Sequence, residues 1–198
     1  MNIYLIRHGD TELGTDGLYP KIANLSALGC SQARALVPLL ISIAPDTIAT
    51  SGVERADQTA DPYLAHSKTQ PVRIPEFDEI GIGNLRSKNL SEIKKKLFAN
   101  PFVPDFSDYD GESSSDFGQR VIGAFDSLIM DKFEDQQKIA LVTHGGPINV
   151  ILDWVEHGRF TGQFVRNIHT ASVTLLELNS NGFDIKYVSN TTHLDATS

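Results

Sequence analysis

Two runs in this chain end in histidine followed by glycine: Ile6-Arg7-His8-Gly9 and Val142-Thr143-His144-Gly145-Gly146. Each follows an apolar, partly β-branched stretch that reads as a buried strand, so each histidine sits at a strand's carboxyl end. Ligands of open α/β sheets bind beyond that edge. With the two strands as parallel neighbours, His8 and His144 emerge side by side, and the glycines let a ligand approach the backbone. A third strand, 46–51, leads into Gly52-Val53-Glu54-Arg55 and puts Arg55 on the first turn of the next helix, at the same edge. Arg7, Arg55, His8 and His144 thereby converge on one anion. Two guanidinium forks suit a phosphoryl group, because each can bind two oxygens. The helix carrying Pro147 in its first turn aims amides at the same place, and Gly145 is counted among the phosphate-binding positions.

Other chemistries fit less well. The six histidines show no HExxH or His-x-His spacing, and the neighbours of His8 and His144 are cations that would repel a metal ion. No GxxxxGK[ST] run is present. The one cysteine, Cys30, supports neither an internal disulfide nor a cysteine zinc site. With 17 Lys+Arg against 25 Asp+Glu the formal charge is -8, which disfavours duplex nucleic acid and anionic membrane as partners. The apolar run 2–6 stops at Arg7, too short for a signal segment, and nothing approaches the roughly 20 apolar residues of a membrane span. The expected compartment is cytoplasmic.

The elements that must position these residues alternate. After the strand 2–7, residues 8–25 read as a long functional loop. Ser26 caps a helix to about Ile43, kinked at Pro38, and a second helix, 53–65, is broken or bent at Pro62. Val72 and Ile74 mark a short extended piece. Residues 76–111 are irregular, with a basic helix over 90–98 whose Lys94, Lys95 and Lys96 read as a solvated face. A long helix spans 112–133, with Phe117, Val121, Phe125, Leu128 and Ile129 as its core stripe. Lys138–Thr143 is a buried strand, and 172–178 and 183–188 form a hairpin about Asn179-Ser180-Asn181-Gly182. The pattern predicts one α/β domain over 1–198: a three-layer α/β/α sandwich with a mostly parallel central sheet and a C-terminal hairpin. Residues 84–111 are a candidate lid or insertion over the site.

LIRHGDTE at 5–12, SGVERADQTA at 51–60 and VTHGGPI at 142–148 resemble, in order and spacing, the three signatures of the histidine phosphatase superfamily, the phosphoglycerate mutase-like group. LSALGCSQA at 25–33, Phe77-Asp78-Glu79, Gly111-Glu112-Ser113 and ASVTLLEL at 171–178 extend the likeness over nearly the whole chain. The resemblance implies that His8 is the nucleophile, forming a phosphohistidine through one neutral ring nitrogen while a backbone carbonyl holds the other. Arg7, Arg55 and His144 would bind the equatorial oxygens and stabilise transition-state charge. Glu79 fits the family's proton donor and later base, with Glu76, Asp78 and Glu12 as nearby competitors. No cofactor and no metal is implied.

The pattern also departs from the family's. Asp10 stands where a glutamate is usual, Gly14 replaces an asparagine, and both 22–26 and Gly83-Asn84-Leu85-Arg86-Ser87 differ from the common motifs. Asp10, Thr11 and Arg86 remain candidate substrate contacts, with Arg86 a candidate reader of a second negative group. The implied function is metal-independent hydrolysis of a small phosphorylated metabolite. A phosphoglycerate mutase-type transferase would carry a longer insertion and more arginines, and a phosphohistidine-protein phosphatase would lack an evident acid. A non-catalytic scaffold would have lost one of the four central residues. The expected partner is a small phosphorylated substrate, without nucleic acid or membrane; oligomeric state and natural substrate stay open.

Overall fold

The computed structural model describes residues 1–12, 23–87, 102–129, 138–163 and 165–195. Its elements are β1 (Asn2–Arg7), α1 (Ala27–Ile43), β2 (Thr47–Thr50), α2 (Glu54–Ser67), β3 (Val72–Arg73), α3 (Ser114–Ser127), β4 (Lys138–Thr143), α4 (Gly145–His157), β5 (Val173–Asn179), β6 (Gly182–Asn190) and α5 (Thr192–Asp195). Short 3-10 turns lie at Pro75–Phe77, Gly83–Ser87 and Ser107–Tyr109. The sheet order is β3-β2-β4-β1-β5-β6. β3, β2, β4 and β1 run parallel, and β5 and β6 add the antiparallel hairpin.

Side-chain alternation along β1 builds the layers. Ile3 and Leu5 join Phe117, Val121 and Phe125 of α3 and Ile148, Ile151 and Leu152 of α4 on one face. Tyr4 and Ile6 join Leu36 and Leu40 of α1 and Ala56, Ala60 and Tyr63 of α2 on the other. Both faces are covered, as the three-layer expectation requires.

Several boundaries move. The helix expected from 112 starts at Ser114, because Ser113 caps it by accepting from the Asp116 amide (3.0 Å) and leaves Glu112 outside for another task. α3 ends at Ser127 with Leu128 and Ile129 still buried, and 130–137 lie outside the described residues. α1 and α2 run through Pro38 and Pro62 without a break. α4 opens at Gly145, with Pro147 as its third residue. The long loop closes on itself where described: Thr11 bridges to Leu25, and the Glu12 amide donates to Asn24 O (3.0 Å).

The expected basic helix at 90–98, its lysines and half of the 84–111 segment fall outside the described residues. The part that is described is anchored in the core. Phe106 is fully buried, its amide donates to Glu112 O (2.9 Å), and the Glu112 amide donates to Gly81 O (2.7 Å). Gly83, at φ +53°, lies so close to this strap that a Cβ would sit 2.0 Å from Tyr109 O.

Candidate active site

Parallel pairing of β1 with β4 sets Arg7 opposite Thr143, so the next residues, His8 and His144, leave the sheet together. The His8 amide donates to Thr143 O (2.9 Å), and the two imidazole centroids are 5.0 Å apart. His8 Nδ1 lies 2.7 Å from Gly9 O. A carbonyl can only accept, so Nδ1 carries the proton and Nε2 keeps its lone pair. The backbone around the ring is pinned as well. Gly9 N–H donates to Thr59 Oγ1 (3.0 Å), whose hydroxyl donates to Arg55 O (2.7 Å), and Ala171 N–H donates to His8 O (3.1 Å).

His144 is fully buried. Its Nδ1 accepts from Arg55 Nε (3.2 Å) and Nη2 (3.0 Å), so the proton sits on Nε2 and is donated to Ser51 Oγ (2.9 Å). Asp78 Oδ1 lies 3.4 Å from that Nε2 and 3.8 Å from Arg55 Nη2. Arg7 completes the edge: its Nη1 donates to Ile168 O, and a Cβ on Gly145 would lie 3.7 Å from its Nε. The guanidinium thus lies beside the first turn of α4, where a Cβ at position 145 would make only ordinary contact with it.

Burial and then the Arg55 charge push His8 down from 6.5 to about 3. The same two causes hold His144 well below the ordinary histidine range. Both rings are therefore neutral at neutral pH, as a nitrogen nucleophile must be. The unfolded chain takes up a proton on His8 near pH 6.5, while the folded chain does so only near 3. Stability is therefore complete above that window and falls as the pH drops through it. In denaturant titrations, wild type should lose on the order of 2 kcal/mol more than His8→Gln between pH 6.5 and about 4.5. An equal acid loss in both would contradict the neutral buried ring.

Glu79 occupies the N-terminus of α4. Its Oε2 accepts from Gly146 N–H and its Oε1 from Ile80 N–H, both at 3.0 Å. The expected anion-binding end of this helix is thus met in part by the protein's own carboxylate. Gly146 makes the room: a Cβ there would sit 1.9 Å from Glu79 Oε1. That atom is the far end of a flexible side chain, so Gly146→Ala should fold normally yet displace the carboxylate. We expect about a 100-fold fall in kcat on alkyl phosphates with an unchanged melting temperature. A variant as active as wild type would show that the carboxylate's place is immaterial.

The remaining candidates divide. Asp78 shares the site with Glu79. Glu76 instead lines a groove beside α3, and the Glu12 side chain is exposed. Asp10 accepts from the Ser26 hydroxyl, while its amide donates to Gln32 Oε1 (2.8 Å), so it ties the first strand's exit to the start of α1. Gly29 permits that contact, since a Cβ there would lie 2.0 Å from Asp10 O. Thr11 takes part in the bridge to Leu25. Arg86 lies on the Gly83–Ser87 turn, and Gly14 is outside the described residues. Ser51 and Thr59, the direct partners of His144 and of Gly9, are not among the sequence candidates. Neither are Arg120 and Glu112, whose bonds reach the segment bearing Asp78 and Glu79. Thr59 was within reach of a pattern argument, one helical turn after Arg55.

The chain matches the model of the histidine phosphatase superfamily (branch 1) over residues 3–191. It belongs to that superfamily. A probable phosphatase of Schizosaccharomyces pombe is 30% identical, the match covering 76% of this chain and 71% of that protein. The adenosylcobalamin/alpha-ribazole phosphatase of Escherichia coli is also 30% identical, covering 77% of each. Among solved structures, YhfR of Bacillus stearothermophilus superposes with a TM-score of 0.83 at 21% identity over 98% of both chains, a likeness of fold. This member of the superfamily is a phosphatase, and His8, Arg7, Arg55 and His144 are its converged strand-end residues. Among the described residues, no helix is long and apolar enough to cross a membrane.

Proposed function

We propose that the chain hydrolyses small phosphomonoesters through a covalent phosphohistidine at His8, without a metal. The observation that carries this reading is the His8 ring itself: neutral, its tautomer fixed by Gly9 O, and set beside the two guanidinium groups of Arg7 and Arg55. The Nε2 lone pair attacks phosphorus, and the ester P–O bond breaks with its electrons on the leaving oxygen. That oxygen takes a proton from Glu79. Water then attacks the phosphohistidine and gives its proton to the Glu79 carboxylate, while the P–N electrons return to Nε2. Arg7, Arg55 and the Gly145 amide hold the equatorial oxygens, where positive charge and fixed donors count most, and His144 joins them by turning its Nε2–H from Ser51 to the phosphoryl group.

Asp78, at 44% side-chain exposure and 3.4 Å from His144 Nε2, supports a second reading in which it shares the proton transfer. Arg86 is assigned a second negative group of the substrate, on the strength of its place on the turn that follows Glu79. A cytoplasmic location and a single domain over 1–198 go with this reading. The test is a panel of phosphorylated metabolites and a chromogenic aryl phosphate, assayed with EDTA present. Phosphate release indifferent to the chelator is expected. Isomerisation of phosphoglycerates without release would favour a mutase, and no turnover of any compound a scaffold.

A further inference from the structure

We infer that Arg120 and Glu112 form a clamp that positions the proton donor Glu79, a role that rests on the phosphatase reading above. The segment 76–79 belongs to neither sheet nor α-helix, so its carbonyls need partners from elsewhere. All four have one. Arg120 Nη1 donates to Glu76 O (2.6 Å) and Asp78 O (3.2 Å), and Nη2 to Glu79 O (3.4 Å). Thr143 Oγ1 donates to Phe77 O (2.6 Å).

Glu112 holds the clamp from behind. Its two oxygens accept from Arg120 Nε and Nη2, both at 2.7 Å, and Oε2 also accepts from Gly81 N–H (2.7 Å). Glu112 therefore binds the chain two residues beyond Glu79, just past the stretch whose carbonyls Arg120 holds. Burial would raise the Glu112 carboxyl, but the bonds from Arg120 and Gly81 outweigh it and keep the group below the usual glutamate range. The Arg120 guanidinium also lies 5.2 Å from the Phe117 ring centroid, which fixes its plane on α3. A planar fork can serve three carbonyls and a carboxylate at once, which a lysine cannot. Neither residue hydrogen-bonds His8 or His144, and the Arg120 charge is the smallest of the charges that lower His144. Their effect on the chemistry passes through the Glu79 backbone, and a misplacement of about 1 Å there suffices to cost about 100-fold.

The test compares leaving groups. Alkyl phosphates need the donor's proton, whereas 2,4-dinitrophenyl phosphate expels a stable phenolate without it. In the full-length protein, Arg120→Ala should slow alcohol release from an alkyl phosphate in the first turnover about 100-fold, and the first-turnover burst of dinitrophenolate, which precedes the action of Glu79 as base for water, no more than about 3-fold. A retained dinitrophenolate burst reports an intact His8 site in the same sample. Added guanidinium ion should restore part of the lost activity, since a groove of about 500 Å³ lined by Gln119, Gly123 and Ala124 opens beside Arg120. Should Arg120→Ala not fold, Glu112→Gln keeps the side chain's shape and is expected to give the same selective loss at about 10-fold. Equal losses on both esters, or none on either, would overturn the positioning role while leaving the phosphatase reading intact. Wild type that releases phosphate from neither ester would overturn both.

Discussion

Replacement of His8 by alanine should abolish turnover of every ester the wild type hydrolyses, by about 10⁵–10⁶-fold in kcat, as removal of a covalent nucleophile does elsewhere. The size follows from what no neighbour can supply. His144 is the other imidazole at this edge, but its Nδ1 is engaged by Arg55 and its Nε2 proton faces Ser51, so it offers no lone pair to phosphorus. In the proposed reaction Glu79 and Asp78 serve proton transfer and do not attack phosphorus. Phosphate should still bind to the variant, because Arg7 and Arg55 remain, so calorimetry should find affinity where kinetics finds no turnover. A residual rate within about 100-fold of wild type would mean that water attacks directly and that the two-step route is wrong.

Arg55→Ala should be the next most severe change, costing about 10³-fold in kcat/KM. Arg55 has three separate tasks. In the proposed reaction it brings a guanidinium to the equatorial oxygens, while in the structure its Nε and Nη2 fix the His144 tautomer and its charge is the largest electrostatic cause depressing both histidines. Removing that positive charge makes protonation of His8 easier, so its pKa rises. The acid limb of the pH–rate profile should therefore move to higher pH in the variant. Arg55→Lys returns the charge without the fork, and should recover the pH profile more fully than the rate. A mutant with wild-type kcat/KM would remove Arg55 from the phosphate site.

The parts of this site that were legible in the sequence are those encoded locally. An apolar strand followed by His-Gly declares its own exit, and two such exits fall together once β1 and β4 pair in parallel. Arg55 was readable because a helix start fixes where its first turn points. The start of α3 lies two residues after the expected one because the polar run 112–116 carries no apolar periodicity to mark it, and the Ser113 cap decides the boundary. The clamp was illegible for a related reason. Arg120 binds backbone carbonyls 41, 42 and 44 residues away, and a carbonyl carries no sequence signature. Asp10 was readable as a loop carboxylate near the site, but its bond to Ser26 depends on the approach of Gly29, a tertiary contact.

The covalent step is the centre of the account, and trapping it is the most direct measurement. Wild-type protein mixed with an aryl phosphate and quenched in alkali within one turnover should carry a phosphoryl group on the peptide containing His8. That adduct should be lost on acid treatment, persist when EDTA is present and be absent from His8→Ala. Full turnover with no phosphoryl adduct, or an adduct on a residue other than His8, would contradict it.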